Sequence, residues 1–247
     1  MTTKAVAKQE LDPRRALITE AQEQDTPGTL RPPRYKLIST SQAYEQTLTG
    51  EITKVITGIV IAARPVRGLW GEREVATESN QAPICSSTDG RIGNCQDADK
   101  FVAFAEARNV LDSIGPFGPM PCLSCPFNQW GSGKGERGKA CKEMRRLLIM
   151  PKDSSLPAIM SIPPTSITNW DNYWSGLRSI NEGYFSVETE ITAEKATSGQ
   201  GDIYSKVVFL NKGPLEEAAL RLALNLRKQY EALIGQQIEA EEYQAEG

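Results

Sequence analysis

Residues 121–141 read Pro121-Cys-Leu-Ser-Cys125-Pro-Phe-Asn-Gln-Trp130-Gly-Ser-Gly-Lys-Gly-Glu-Arg-Gly-Lys-Ala-Cys141. Two cysteines stand three positions apart, and a Gly- and Lys-rich loop leads to a third. A pair at this spacing grips one metal ion from a tight turn, and a tetrahedral zinc site then needs two more donors from elsewhere. Cys141 supplies one. Cys85, in the turn-rich run Cys85-Ser-Ser-Thr-Asp-Gly90, is the preferred fourth, with Cys95 as its alternative. A thioredoxin-like redox pair fits poorly, because such a pair opens a helix and here Pro126 and a glycine-rich loop follow. The plain alternative is a set of unligated thiols, some buried as small hydrophobes.

The whole chain agrees with an all-thiolate site. It has 247 residues, five cysteines and no histidine. An odd cysteine count, with no apolar stretch of signal-peptide type at residues 1–15, argues against a disulfide framework. Without histidine there is no Ser-His-Asp triad, no HExxH zinc protease and no imidazole acid–base catalysis. Four thiolates make a closed, structural zinc site. Asp89, Asp97 and Asp99 lie near the cysteines but form no catalytic frame, so a non-enzymatic protein is expected. No apolar run approaches transmembrane length, which predicts a cytoplasmic protein, in the host cell if a phage encodes it.

Outward from the cysteines, the chain reads mainly as strands. Residues 1–34 carry six basic and five acidic side chains among Pro and Gly breakers, the composition of a disordered tail. Residues 52–63 are rich in β-branched side chains and predict a long strand, with Gly58 expected at a bulge. Residues 72–77 are expected to return beside it. A segment at 78–142 then interrupts the sheet. It holds all five cysteines and a helical pattern at 98–111. Strands are expected at 146–150 and 156–162. Ile167, Trp170, Trp174, Leu177 and Ile180 form a helical apolar stripe, which makes both tryptophans core residues and leaves Tyr173 outside it. Alternating runs near 184–191 and 203–209 predict a hairpin. A final helix at 214–235 begins at Pro214 with acids in its first turn, and 236–247 is an acidic tail.

This order fits an α+β chain, mainly β. A five-stranded OB barrel over 35–213, with its helix between the third and fourth strands, is interrupted by a zinc-binding insertion at 78–142 and followed by a C-terminal helix.

The ligand reading rests on charge and rings. From Cys122 to Arg146 there are six basic and two acidic side chains, a net +4. Lys134, Arg137, Lys139, Lys142, Arg145 and Arg146 would follow phosphates while Phe127 and Trp130 stack on bases, the pattern of a single-strand binder. The loop lacks the GxxxxGK[ST] of a P-loop. Arg64, Arg67 and Trp70, ending the long strand, repeat the composition, and Tyr173 is a further stacking candidate. The alternative is a solvated charged loop with its aromatics packed on the metal site.

Cys122-Leu-Ser-Cys125-Pro-Phe-Asn-Gln-Trp-Gly-Ser, followed by Gly138-Lys-Ala-Cys141, resembles a signature of zinc-containing single-stranded-DNA-binding proteins of phages and mobile elements. The barrel-plus-insertion architecture over residues 50–212 is similar to that of the T4-type phage single-stranded DNA-binding proteins, whose zinc site includes a histidine that this chain lacks. The resemblance implies single-stranded DNA as ligand, a role in replication or recombination, and an acidic C-terminus that docks partner proteins. Two other readings remain: an RNA-binding protein, and a non-enzymatic assembly module that uses its C-terminal helix.

Overall fold

The computed structural model describes residues 32–71, 82–114, 119–199, 201 and 203–238. Most of the expected N-terminal tail, the expected return strand at 72–77 and the acidic residues from 239 onward lie outside them.

The architecture is mixed α+β, with strands predominating and three described α-helices. The strands are β1 (Arg34–Ile38), β2 (Ala43–Gln46), β3 (Ile52–Thr53), β4 (Val55–Leu69), β5 (Cys85–Ser87), β6 (Ile92–Cys95), β7 (Met120–Pro121), β8 (Lys142–Pro151), β9 (Ala158–Ile162), β10 (Val187–Thr197) and β11 (Ile203–Pro214). The helices are α1 (Ala98–Glu106), α2 (Ile167–Ser179) and α3 (Glu217–Ile234). Among the described residues, no helix is long and apolar enough to cross a membrane.

The long β-branched strand is the spine. One edge of β4 pairs with β8 from Gly58 to Gly68. Its other edge pairs first with β10, at Val55–Gly58, and then with β5, at Arg67–Leu69. The main sheet and the cysteine segment are therefore two ends of one strand. Gly58 does not bulge. The register shift falls between Val60 and Ala62, and Gly58 instead permits close approach, since a Cβ there would stand 2.2 Å from the Met150 carbonyl oxygen. Glycine is required at Gly58 for contact, not for its backbone freedom.

The sheet runs β3-β2-β1-β9-β8-β4 and stays open, where a closed five-stranded barrel was expected. Two strands missed in the sequence, β1 and β2, explain the difference. β1 adds in parallel to β9, so β9 has no edge left for the last strand. Among the described residues, β11 pairs only with β10. Part of its outer edge is met by side chains: Ser166 Oγ accepts from the Val207 N–H at 2.8 Å, and Asn169 Nδ2 donates to the Val207 carbonyl at 2.9 Å. Ser205 Oγ donates to the Ser39 carbonyl. Side-chain partners thus stand where a barrel would have a ladder.

The two faces carry separate cores. On one, Ile56, Val60, Leu147, Ile149, Met160, Ile191 and Val207 pack with Tyr44 and Trp170. Helix α2 seals this core with Trp170 and Leu177 buried and Tyr173 packed against them. The inward stripe is therefore Trp170, Tyr173 and Leu177. Tyr173 stacks on Phe209 at 5.6 Å and shares a hydrogen bond with Thr189 Oγ1, whereas Trp174 is 45% exposed and Ile180 60% exposed. The expected roles of Tyr173 and Trp174 are exchanged. Both phases have helical spacing, and the contacts to Phe209 and Thr189 select the one that holds Tyr173 inside.

On the opposite face, α3 lays Ala223, Leu226, Tyr230, Leu233 and Ile234 on Ile61, Ala62, Leu148 and Ile159. Ala223 is buried in this contact, whereas Leu222 and Leu224 are exposed.

Candidate metal centre and loop

The cysteine segment is a small module with its own core. Phe101, Phe104 and Ala105 of α1 bury with Leu69, Ile84, Ile114 and Phe127. The Phe127 ring meets Phe101 and Phe104 edge-on at 5.6 and 5.2 Å, contacts that favour the offset charge of aromatic quadrupoles. Phe127 is 1% exposed, so the structure withdraws it from the set of surface rings.

Cys85, Cys122 and Cys141 are buried and Cys125 is partly so, and all are free thiols. Gly93 lies between two of them: a Cβ there would stand 3.1 Å from Cys85 Sγ and 3.6 Å from Cys122 Sγ. The bare glycine leaves the sulfurs room that any side chain would take. Burial pushes the Cys141 thiol up to about 12, with the neighbouring Cys125 and Cys122 adding to it. Cys85 is raised by burial and then by Cys141, Cys125, Cys95 and Cys122. Burial raises Cys125 too, against the Phe127 and Asn128 backbone N–H groups, which favour its thiolate, as does Arg67. Cys122 is raised by burial while Ser87 and Arg67 oppose the rise. As their side chains stand, no group of three or more His, Cys, Asp and Glu among the described residues is arranged to hold a metal ion.

The donor set nonetheless suits zinc. Cys85, Cys122, Cys125 and Cys141 act on one another's ionisation, and Gly93 leaves room beside two of the sulfurs. Thiolates are the metal-binding form, and a bound cation would offset the burial that now disfavours them. Cys95 is the register partner of Cys85 across β5 and β6, and donates to the Ile84 and Asp97 carbonyls at 3.5 and 3.4 Å. Asp89 and Asp97 also have structural partners. Asp89 Oδ1 accepts from Ser87 Oγ and from the N–H groups of Arg91 and Ile92, and Asp97 caps α1 at Lys100.

Asn128, which the sequence reading passed over, holds the module to the sheet. Its Nδ2 donates to the Cys122 carbonyl at 2.7 Å, and its Oδ1 accepts from Arg67 Nη1 at 2.6 Å and Lys139 Nζ at 3.2 Å. Arg67 also reaches the Gly90 carbonyl and Glu143, and Glu143 accepts from Arg145, which extends toward Asp171 on α2 at 3.7 Å. Burial alone would raise the Glu143 carboxyl, but Arg145, Arg67 and Lys139 outweigh it and hold it below the usual carboxylate range. The chain of contacts runs from α2 to the cysteine loop.

The candidate phosphate contacts therefore separate. Arg67, Lys139 and Arg145 belong to this network. Lys142 is half-buried, its ammonium lowered by burial, and donates to the Lys139 carbonyl. Arg146 is 0% exposed and its guanidinium donates to the carbonyls of Ile234, Gln236 and Gln237, at the carboxyl end of α3. Arg64 approaches the same end, its Nη1 3.0 Å from a Cβ placed on Gly235. Trp70 folds its ring over Gly68 beside Val66, Met144 and Ile238.

What stays on the surface is compact. Trp130 is 82% exposed and Leu123 86% exposed. Lys134 and Arg137 are exposed on the same loop. The loop is nevertheless well tied. The N–H groups of Gly131 and Gly133 donate to the Gly138 carbonyl, Ser132 Oγ bridges the Phe127 and Gln129 carbonyls, and Cys141 N–H donates to the Phe127 carbonyl. Gly131, Gly135 and Gly138 adopt positive φ, the conformations that make this tight path accessible. No known protein family, curated protein or solved structure matches the chain.

Proposed function

We propose that this chain is a zinc-stabilised protein that binds single-stranded DNA through the loop following Cys125, and that it acts in the replication or recombination of a phage or mobile element. Cys85, Cys122, Cys125 and Cys141 hold the metal, which folds the loop and takes no part in chemistry. The strands β4, β8, β9 and β10 with α2 are read as a derived OB-like core, in which β1 has displaced the closing strand.

The observation that carries the reading is Trp130, a large ring left almost wholly in water on a loop otherwise closely bonded. An exposed indole on a constrained backbone loses little entropy when a base stacks on it. Lys134 and Arg137 supply cations on the same loop. The surface is smaller than the sequence suggested, since Arg145 and Arg146 serve the protein itself. Trp130→Ala is expected to weaken oligo-dT binding by about 1–3 kcal/mol, the usual worth of one stacked base. The melting temperature should not move, because the side chain has almost nothing to pack against. Fluorescence anisotropy and thermal melts on the same preparations check both. Unchanged affinity would remove Trp130 from the ligand surface.

Leu123 favours a second reading. It offers an exposed aliphatic side chain that cannot stack on a base, and with Trp130 it has the composition of a protein-docking surface. Leu123→Ser separates the readings. Little change in DNA affinity supports the first, and loss of a replication or recombination partner with DNA affinity intact supports the second. Titration with oligo-U in parallel decides between DNA and RNA.

A further inference from the structure

Cys85 faces two sets of sulfur. On one side are Cys122, Cys125 and Cys141. On the other is Cys95, its direct partner across β5 and β6. The Gln96 N–H donates to the Ile84 carbonyl at 2.9 Å, which makes Cys85 and Cys95 a non-hydrogen-bonded antiparallel pair. Cα atoms in such pairs lie about 4.5 Å apart with side chains on one face, at the short end of the roughly 4.4–6.8 Å that a disulfide spans. Cys95 is only partly buried, and its sulfur contacts the carbonyls of Ile84 and Asp97. Those two residues line an open cleft of about 320 Å³ with Ala82, Pro83, Gln96 and Lys100. The cleft adjoins the two residues whose carbonyls hold the Cys95 thiol.

We infer that Cys85 and Cys95 form an oxidative modification site, at which a hydroperoxide drives a cross-strand disulfide that removes Cys85 from the metal. Cys95 attacks the peroxide, the O–O bond breaks, and Cys95 becomes a sulfenic acid as one water leaves. Cys85 then attacks the Cys95 sulfur, the S–S bond forms, and the hydroxyl departs with a proton as a second water. Two thiols lose two electrons and one hydrogen peroxide becomes two waters. The site retains three thiolates, the zinc is released, and the Trp130 loop loses its anchor. The metal half of this inference rests on the proposed zinc site. The disulfide half rests on strand register alone.

The test treats the purified full chain with stoichiometric hydrogen peroxide, follows released zinc with a chromogenic chelator, and maps disulfides by non-reducing tryptic mass spectrometry. Cleavage after Arg91 separates the two cysteines, so their bond appears as a joined peptide pair. The expected result is a Cys85–Cys95 pair appearing in step with zinc release. Cys95→Ser keeps a hydroxyl for the same two carbonyls, and should retain zinc at least tenfold longer at equal dose. Disulfides confined to Cys122, Cys125 and Cys141 would overturn the inference. So would zinc release from Cys95→Ser at the wild-type rate, or a Cys95→Ser protein that never binds zinc. A Cys85–Cys95 bond forming in protein without metal would uphold the modification site and refute the zinc reading.

Discussion

Cys125→Ser is expected to strip the protein of its metal and dissolve the module around it. Cys125 lies in the short pair, and the Phe127 and Asn128 backbone N–H groups favour its thiolate. Structural zinc contributes an apparent ~10–16 kcal/mol in small zinc-binding peptides. Here the aromatic cluster of Phe101, Phe104 and Phe127 and the β4–β5 pairing supply part of the stability, so the loss falls chiefly on β5–β7 and the loop up to Cys141. Metal analysis should give about one zinc per wild-type chain and none in the variant, as expected for one tetrahedral site. Chelator should convert the wild type to the variant's melting profile. The sheet between β8 and β10 should keep its hydrogen-exchange protection while amides of residues 120–141 lose theirs. Wild-type protein that carries no zinc and melts identically with and without chelator would refute the metal centre.

Arg146→Met should cost about 3 kcal/mol. The guanidinium is fully buried and reaches three carbonyls where α3 ends. The carboxyl end of a helix carries partial negative charge, so this cation is paired with the dipole. Methionine fills the volume and removes the charge's own burial cost. It leaves carbonyls without donors, at about 1–3 kcal/mol for each that stays buried. The melting temperature should fall by roughly 6–12 °C for a chain of this size. Exchange should rise most in α3. Oligo-dT affinity measured well below the transition should change little, whereas a phosphate contact would show the opposite pattern, weaker binding at unchanged stability. Stability within 0.5 kcal/mol of wild type would contradict the assigned role.

Much of the fold was legible because its signals are local. The β-branched run at β4, the alternating runs of β10 and β11, and the helices α2 and α3 all appear in the structure. What was missed depended on distant partners. β1 and β2 are short and only partly apolar, and they become strands because β9 offers an edge. That pairing opened the barrel the element order had suggested. The phase of α2 was ambiguous in the same way, since Trp170 serves either stripe and only Phe209 and Thr189 place Tyr173 inside.

The candidate site was legible in its cysteines and much less so in its bases. Spacing relates Cys122 to Cys125 within one turn. Charge counting cannot tell Lys134, which faces solvent, from Arg146, whose partners lie about ninety positions away. Asn128 has no sequence signature of its own. Its importance comes from three hydrogen bonds to residues on different elements.

The most direct test of the central claim is tryptophan fluorescence during titration of zinc-loaded protein with oligo-dT and with duplex DNA, at low and at physiological salt. Wild type should be quenched by the single strand and far less by the duplex, and Trp130→Phe should lose most of the change. With about two to four phosphates neutralised, the slope of log affinity against log salt should be roughly −1.4 to −2.8. A zinc-loaded protein whose fluorescence and anisotropy ignore oligo-dT at low salt would contradict the account.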